Sequence, residues 1–229
     1  MLFPSKLVLR FAERDFLTFK IALPSIYQTL TDLPECTLNI IQYPHPTLRY
    51  KSKPIRRVNE ELKQIVSDMF DAMYEAKGIG LAANQVDLPF RLFVLNLSGK
   101  RGEGEEMVFI NPVVSSPKGS DEFEEGCLSI VGVNAVVNRP EQIHVQAYDL
   151  QGNEIDATVS GMLAKAIQHE TDHLDGVLFV DRISESSKAA IAGELDDFEL
   201  IFENERSTGT IPDDEVILDR LKEYEAKFC

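Results

Sequence analysis

Residues 166–176 read Ala-Ile-Gln-His-Glu-Thr-Asp-His-Leu-Asp-Gly, and this sequence predicts a helix with two histidines on one face. On a helix, residues four positions apart lie on one face with Cβ atoms about 5–6 Å apart. His169 and His173 can therefore reach one divalent ion. Glu170 follows the first histidine, where its carboxylate can take a proton from a water molecule that the ion activates. The pattern HExxH on a helix is typical of metal-assisted hydrolysis.

A helix over this stretch is supported at both ends. Ser160 is a suitable N-cap, and Gly176 can end the helix in a left-handed conformation. Apolar residues supply a face that can be buried: Met162, Leu163, Ala166, Ile167 and Leu174. A chance occurrence on a solvated surface helix is the plain alternative. It is weakened because the chain has only four histidines and half of them fall in this pattern.

The third ligand distinguishes the classes of hydrolase, because a catalytic zinc-type site has three protein ligands and one open position. A metzincin would have a histidine six residues after His173, where this chain has Phe179. Glu194 stands at the distance that a thermolysin-like peptidase requires, in an acidic helix where a solvated carboxylate is the simpler interpretation.

Cys127 is the third candidate for this ligand, in the sequence Glu-Gly-Cys-Leu-Ser over residues 125–129. Three scattered cysteines do not form a disulfide framework, so a Cys127 thiolate is free to bind metal; a small buried apolar residue is its alternative.

A third motif, Gly-Ile-Gly-Leu-Ala-Ala-Asn-Gln, occupies residues 78–85. It follows an amphipathic helix that we predict from an Asn59 N-cap to about Lys77. The small residues leave room for a substrate group against the backbone, and Gln85 can donate a hydrogen bond to it. An ordinary helix stop followed by an apolar strand is the alternative for this motif alone.

Together, GIGLAANQ, EGCLS and QHETDHLDG, in this order, resemble the three motifs of the peptide deformylases. The resemblance runs from about Ile40 to about Asp181. Members of this family remove the formyl group from the N-terminal methionine of newly made proteins and release formate. The resemblance implies these roles: metal ligands Cys127, His169 and His173; general acid and base Glu170; oxyanion hole Gln85 and the backbone N–H of Leu128. It favours Fe(II) as the metal, with zinc, nickel or cobalt able to substitute.

The methionine side chain of such a substrate requires an apolar pocket. We expect these residues to bind the substrate: Ile79, Gly80, Phe123, Glu125, Met162 and Ala166. Glu125 could also support the cysteine loop, with Arg139 as its ion-pair partner; the alternative is that both charges face solvent, where a pair contributes only about 0–1 kcal/mol.

The predicted fold class is α+β, with mainly antiparallel strands packed around the metal-binding HExxH helix. Strands are predicted at these residues: 91–97, 107–110, 142–148 and 154–159. The predicted organisation is a leader of unknown role over residues 1–37, a catalytic domain over 38–185 and an acidic helical extension over 186–229. We expect the extension to contain a helix ending near Glu205 and a second one opened by Pro212, docked on the core through Val216, Ile217, Leu221 and Tyr224.

Charge and composition restrict the partners. The formal net charge of −15 disfavours binding to nucleic acids and to anionic membranes. The expected partners are N-formyl-methionyl peptide ends. A transient ribosome association stays open, because some family members dock there through a basic C-terminal helix whereas this tail is acidic. The leader mixes acidic and basic residues and is interrupted by Pro24, which argues against a signal peptide, a membrane span and organelle targeting, so a cytoplasmic location is expected.

The residues alone leave two alternative functions open. A thermolysin-like peptidase would use Glu194 and tolerate the loss of Cys127. A non-catalytic metal-binding adaptor would show no change in any turnover when Glu170 is replaced.

Overall fold

The structure of the protein is a computed structural model that describes residues 38–229. The predicted leader, residues 1–37, lies outside the described residues. The helices are α1 (Glu60–Glu75), α2 (Gly161–Leu174), α3 (Glu185–Ala190), α4 (Ala192–Ser207) and α5 (Asp214–Phe228). The strands are β1 (Gly80–Ala82), β2 (Leu92–Leu95), β3 (Met107–Lys118), β4 (Asp121–Cys127), β5 (Ile130–Arg139), β6 (Gln142–Tyr148) and β7 (Glu154–Ser160). None of the helices within 38–229 is long and apolar enough to cross a membrane.

Five strands form an antiparallel sheet in the order β1-β2-β3-β6-β7, and β4 and β5 form a separate two-stranded sheet. This mixture of helices and antiparallel strands confirms the α+β class. The strand predicted at 142–148 has the observed bounds of β6, and the one predicted at 154–159 ends one residue early. The prediction at 107–110 was too short, because β3 continues to Lys118 through two irregularities in its pairing with β6.

Strand β2 places its side chains alternately into two cores. Leu92 and Val94 pack in the core beneath α1, and Phe93 and Leu95 pack in the core beneath α2. Successive side chains of a strand point to opposite faces of the sheet, so a strand covered on both faces is apolar at every position. The sheet therefore fixes α2 relative to β1, the strand that carries the glycines of the first motif.

The β4–β5 hairpin was not predicted as a pair of strands. The β4 sequence Asp-Glu-Phe-Glu-Glu-Gly-Cys has no apolar alternation, because most of its side chains are exposed. In β5, Val133, Ala135 and Val137 alternate into a third core with residues from the segment after α2. Cys127 pairs with Ile130 across the turn, so the hairpin ends at the cysteine motif.

The caps of both long core helices agree with the sequence. The Asn59 side chain accepts a hydrogen bond of 2.8 Å from the backbone N–H of Leu62. Ser160 occupies the N-cap position of α2, although its side chain makes no capping hydrogen bond, and Gly176 follows the end of α2 with a φ of +74°. A Cβ at Gly176 would lie 2.5 Å from the carbonyl oxygen of Arg49, so this close approach also requires glycine.

The C-terminal extension packs on the core, as expected, through α5. Ile217 and Leu221 are fully buried, and Phe228 enters the core beneath α1, where its ring contacts Phe90 at 4.9 Å between centroids. Three details of the prediction were wrong. The first helix is divided into α3 and α4 at Ile191, which is buried, and Val216 is exposed rather than part of the apolar stripe. In addition, α5 begins at Asp214, two residues after the proline that was expected to open it.

Candidate active site

Three side chains from two elements meet in one place. The ligand atoms of Cys127, His169 and His173 all lie within 4.8 Å of one another. The Cys127 Sγ is 3.2 Å from the His173 Nε2. The two histidines lie on adjacent turns of α2 with ring centroids 5.0 Å apart, as their spacing requires. One thiolate and two imidazoles are a set of donors suited to a transition-metal ion.

The electrostatic surroundings of these three side chains favour the binding of a cation. Burial lowers the pKa of His169, but the hydrogen bonds that its ring donates to Cys127 and Glu125 outweigh this effect and raise the pKa to about 10. The surroundings of His169 therefore stabilise positive charge. Burial, with the nearby charges of His169 and Arg139, holds the pKa of His173 well below its usual range, so His173 is neutral and able to act as a ligand.

Both carboxylate oxygens of Glu125 accept hydrogen bonds. Its Oε1 accepts from Arg139 Nε, and its Oε2 lies 2.8 Å from Arg139 Nη2 and 2.9 Å from His169 Nδ1. The side chains of Arg139 and Glu125 are only 3% and 4% exposed. Although burial raises the pKa of Glu125, the hydrogen bonds from Arg139 and His169 lower it to about 2. A carboxylate held in this way fixes the orientation of a ligand imidazole.

Glu170 is buried beside the group. Its Oε2 has no hydrogen-bond partner within the part of the chain that the structure describes, and burial raises its pKa to about 7. The space in front of it depends on Gly80, because a Cβ there would overlap Glu170 Oε1 and lie 2.7 Å from Leu95 Cδ2. A carboxylate with a pKa near neutral and a free oxygen can both accept and return a proton.

The Gln85 side chain lies beside Cys127 and belongs to a 3₁₀ turn, Ala83–Val86. Its Oε1 accepts a 2.8 Å hydrogen bond from the backbone N–H of Ala82, which fixes the orientation of the amide. Its Nε2 lies 3.4 Å from Cys127 Sγ and 3.2 Å from Ser129 Oγ. The donor end of the side chain is therefore directed at the cysteine motif.

A segment near the start of the described chain joins the two motif loops. The Ile41 N–H donates to the Gln85 carbonyl at 2.9 Å, and the Tyr43 N–H donates to the Ser129 carbonyl at 2.9 Å. Gln42 Nε2 donates to the Leu128 carbonyl at 3.1 Å. The resemblance covers this segment, but its hydrogen bonds join residues far apart in the chain and were not predicted from the sequence.

A cavity of about 580 Å³ opens in front of the group. All the residues predicted to bind substrate line it: Ile79, Gly80, Phe123, Glu125, Met162 and Ala166. Leu128, Gln85, His169 and Glu170 also face it. Lys165, Val131 and Asn134 are among the other lining residues, and the sequence analysis missed them. The four-residue spacing of Lys165 and His169 on α2 could have indicated the first of these.

Glu194 is not part of this arrangement. It lies on α4, is exposed, and is not among the potential ligand atoms that lie near His169 and His173. The structure therefore brings the predicted sulfur ligand to the two histidines and leaves the thermolysin-like candidate at the surface.

The α+β fold, and the HExxH sequence on a helix with a cysteine beside it, are typical of one class of protein, the metal-dependent hydrolases. Residues 37–189 match the family model for polypeptide deformylase. The chain is 48% identical to the peptide deformylase of Rhodopirellula baltica over 191 residues, which cover 83% of this chain and 95% of that protein. It is 41% identical over 187 residues to the chloroplastic peptide deformylase 1B of Oryza sativa, covering 81% of this chain and 69% of that protein.

Solved structures agree with these relatives. The crystal structure of a plant peptide deformylase, PDF1B, superimposes with a TM-score of 0.73 at 41% identity, covering 75% of this chain and 94% of that one. The chain belongs to the peptide deformylase family, and it is therefore a member of a family of metal-dependent enzymes.

Proposed function

We propose that this protein removes the N-formyl group from the N-terminal methionine of newly synthesised proteins and releases formate. The observation that carries the proposal is the meeting of Cys127, His169 and His173 beside the buried Glu170, at the base of an apolar cavity. Membership of the family supports the same reaction.

The ion would be held by Cys127, His169 and His173, which makes α2 the central metal-binding helix of the fold. A divalent ion bound there would act as a Lewis acid and make water nucleophilic near neutral pH. We propose Fe(II) as this ion, with zinc, nickel or cobalt able to substitute, because nitrogen and thiolate donors suit all of these metals. Arg139 and Glu125 keep the His169 ring in position, and this is the role we assign to Glu125 although it also lines the cavity.

Glu170 would move the proton. Its free Oε2 takes a proton from the attacking water and later donates it to the leaving amine nitrogen, so that formate and a free amino terminus result. A group with a pKa of about 7 suits both steps at neutral pH. The wall at Gly80 can lie close to the reacting carbon, because a formyl carbon carries only hydrogen.

Gln85 and the backbone N–H of Leu128 would stabilise the negative oxygen that develops on the formyl group. The Gln85 amide is held in one orientation by Ala82, with its donor end directed at the cysteine motif. Donors that are fixed before the reaction need no rearrangement when charge develops, which is the usual source of their effect.

The methionine side chain would occupy the apolar part of the cavity. The walls there come from Ile79, Phe123, Met162 and Ala166, with Leu128 between them. Met162 and Ile79 are partly exposed, so a substrate side chain that covers them would gain the free energy of apolar burial.

The wider setting of the protein is also part of the proposal. We propose N-formyl-methionyl peptide ends as its partners and a cytoplasmic location. The net charge of −15 disfavours binding to nucleic acids and anionic membranes, so neither is proposed as a partner. The catalytic domain would cover residues 38–185, preceded by the leader, 1–37, and followed by the acidic extension, 186–229. A transient association with the ribosome would need a docking mode other than a basic tail.

Formate release from formyl-Met-Ala-Ser by protein purified without oxygen tests the reaction. We expect turnover by the wild type and loss of turnover in both Glu170→Ala and Cys127→Ala. Metal should be retained in the first variant and lost in the second, and Glu194→Ala serves as the control that keeps both. No formate from metal-loaded wild type would contradict the proposed function, and full turnover in Glu170→Ala would contradict the role assigned to Glu170.

A further inference from the structure

The Gln42 side chain lies outside the three motifs but is hydrogen-bonded to one of them. Its Nε2 donates to the Leu128 carbonyl at 3.1 Å and to the Ile40 carbonyl at 3.3 Å. Both neighbours are carbonyl oxygens, which only accept hydrogen bonds, so only the nitrogen end of the amide can face them. Gln42 therefore holds a carbonyl group of the cysteine motif from a distant part of the chain.

The peptide group between Leu128 and Ser129 is held at both ends. Its carbonyl accepts from Gln42, and its N–H, which belongs to Ser129, lies 3.4 Å from Cys127 Sγ. The preceding peptide group carries the Leu128 N–H and lies between this held group and Cys127. A residue has only two soft backbone dihedrals, so restraint on both sides limits how the Leu128 N–H can turn. The direction of this proposed oxyanion donor therefore depends on the Gln42 bond.

The segment that carries Gln42 also holds the second proposed donor, Gln85. The Ile41 N–H donates to the Gln85 carbonyl at 2.9 Å, and the Tyr43 N–H donates to the Ser129 carbonyl at 2.9 Å. Consecutive residues of one segment are thus bonded to both loops that supply the oxyanion donors. The position of one donor relative to the other is therefore set by this segment.

The segment is itself anchored in the core. The side chains of Ile41 and Tyr43 pack on the third core, to which Leu195 of α4 also belongs. The Tyr43 hydroxyl donates to Glu199 of α4 at 2.9 Å. A segment that is fixed in this way can act as a rigid support for the Gln42 amide.

We propose that Gln42 is a positioning residue that holds the Leu128 N–H in the orientation that stabilises the negative oxygen on the formyl group, an inference that rests on the proposed function. Gln42 does not line the cavity, so it acts through the Leu128 backbone and not by contact with the substrate. Complete loss of one oxyanion donor lowers kcat about 10²–10³-fold. Without the Gln42 amide the Leu128 N–H is still present but less well held, so the expected fall in kcat is about tenfold.

The experiment measures kcat and KM for formyl-Met-Ala-Ser, per bound metal ion, and the inhibition constant of the deformylated product Met-Ala-Ser. The product lacks the formyl oxygen, so its affinity reports on the pocket and not on the oxyanion donors. The variants are Gln42→Met and Gln42→Leu, which both lack an N–H donor in the side chain. Tyr43→Phe is the matched control, because it removes one side-chain hydrogen bond from the same segment and leaves the backbone bond to Ser129.

Both Gln42 variants should lower kcat about tenfold while KM changes by less than about twofold, because loss of an interaction made only in the transition state lowers kcat and kcat/KM equally. The inhibition constant of Met-Ala-Ser should stay that of the wild type. Tyr43→Phe should keep all three constants. If one Gln42 variant fails to fold, the other decides.

A wild-type kcat in a folded Gln42 variant would overturn the proposal. A rise in KM and in the inhibition constant that matches the fall in kcat would also overturn it, because the whole site would then be disturbed and the role of Gln42 would be structural. An equal fall of kcat in Tyr43→Phe would do the same, since the effect would belong to the segment and not to the Gln42 amide. Each of these results requires formate release by the wild type, so it is distinct from failure of the proposed function, in which the wild type releases none.

Discussion

Helices α2 and α5 both pack on the core, but the polar residues of α2 are largely buried whereas those of α5 are largely exposed. In α2, the charged and ligand side chains His169, Glu170 and His173 are buried or nearly so. In α5, the buried residues are apolar, and the ion pairs, such as Lys227 with Glu61, are about half exposed. Burial of charge lowers stability unless its partners are complete. The buried polar residues of α2 are therefore costly for folding and fit a functional site, whereas α5 is an ordinary packed helix.

The largest effect should come from the buried ion pair that supports α2. Arg139→Met leaves the Glu125 carboxylate buried without its main partner, and removal of one member of such a pair lowers the free energy of unfolding by about 3–5 kcal/mol. Denaturant unfolding measures this loss. Arg49→Met is the matched control, because this arginine and its partner Asp181 are both about 40% exposed, so its loss should be at most about 1 kcal/mol. Equal losses in the two variants would remove the distinction between buried and exposed pairs.

A smaller effect, confined to stability, is expected in α5. Leu221→Ala removes a fully buried side chain and should lower the free energy of unfolding by about 2–4 kcal/mol, while kcat at a temperature where the variant is folded stays that of the wild type. Leu218 on the same helix is 39% exposed, so Leu218→Ala should change stability much less. A clear fall in kcat with Leu221→Ala in the folded state would show that α5 takes part in the function and would break the comparison.

The α2 site and the α5 contact also differ in how well the sequence predicted them. The HExxH residues could be placed because their relation is local and a helical period determines it. The choice of Cys127 over Glu194 depended on the resemblance of three motifs to those of the peptide deformylases, since Cys127 alone is better interpreted as a small buried residue. β4 and the segment 41–43 were missed because their structure depends on pairing with distant residues, and no period of their own side chains reports it.

The smallest effect should be a pH dependence near the C-terminal extension. His45 is buried, its Nδ1 accepts a hydrogen bond from the Thr47 N–H, and its ring contacts Phe202 of α4. Burial lowers the pKa of His45, a shift that Asp87 and Asp214 oppose and that Arg220 and Arg206 support.

Because this pKa is lower in the folded state, the unfolded chain binds the proton first. The contribution of His45 to stability is therefore complete above its ordinary value of 6.5 and is lost as the pH falls from there towards the folded pKa. His45→Asn, which keeps a capping side chain, should reduce the dependence of the unfolding free energy on pH between about 5 and 7. If the unfolding free energy of this variant depends on pH as that of the wild type does, His45 does not contribute to the pH dependence.

The central claim is that one sulfur and two imidazole nitrogens from Cys127, His169 and His173 hold a single ion. X-ray absorption spectroscopy of the metal-loaded wild type, purified without oxygen, tests it most directly. The account predicts one sulfur at the metal in the wild type, with an unchanged spectrum in Glu194→Ala. A metal shell without sulfur, or one that changes when Glu194 is replaced, would contradict it.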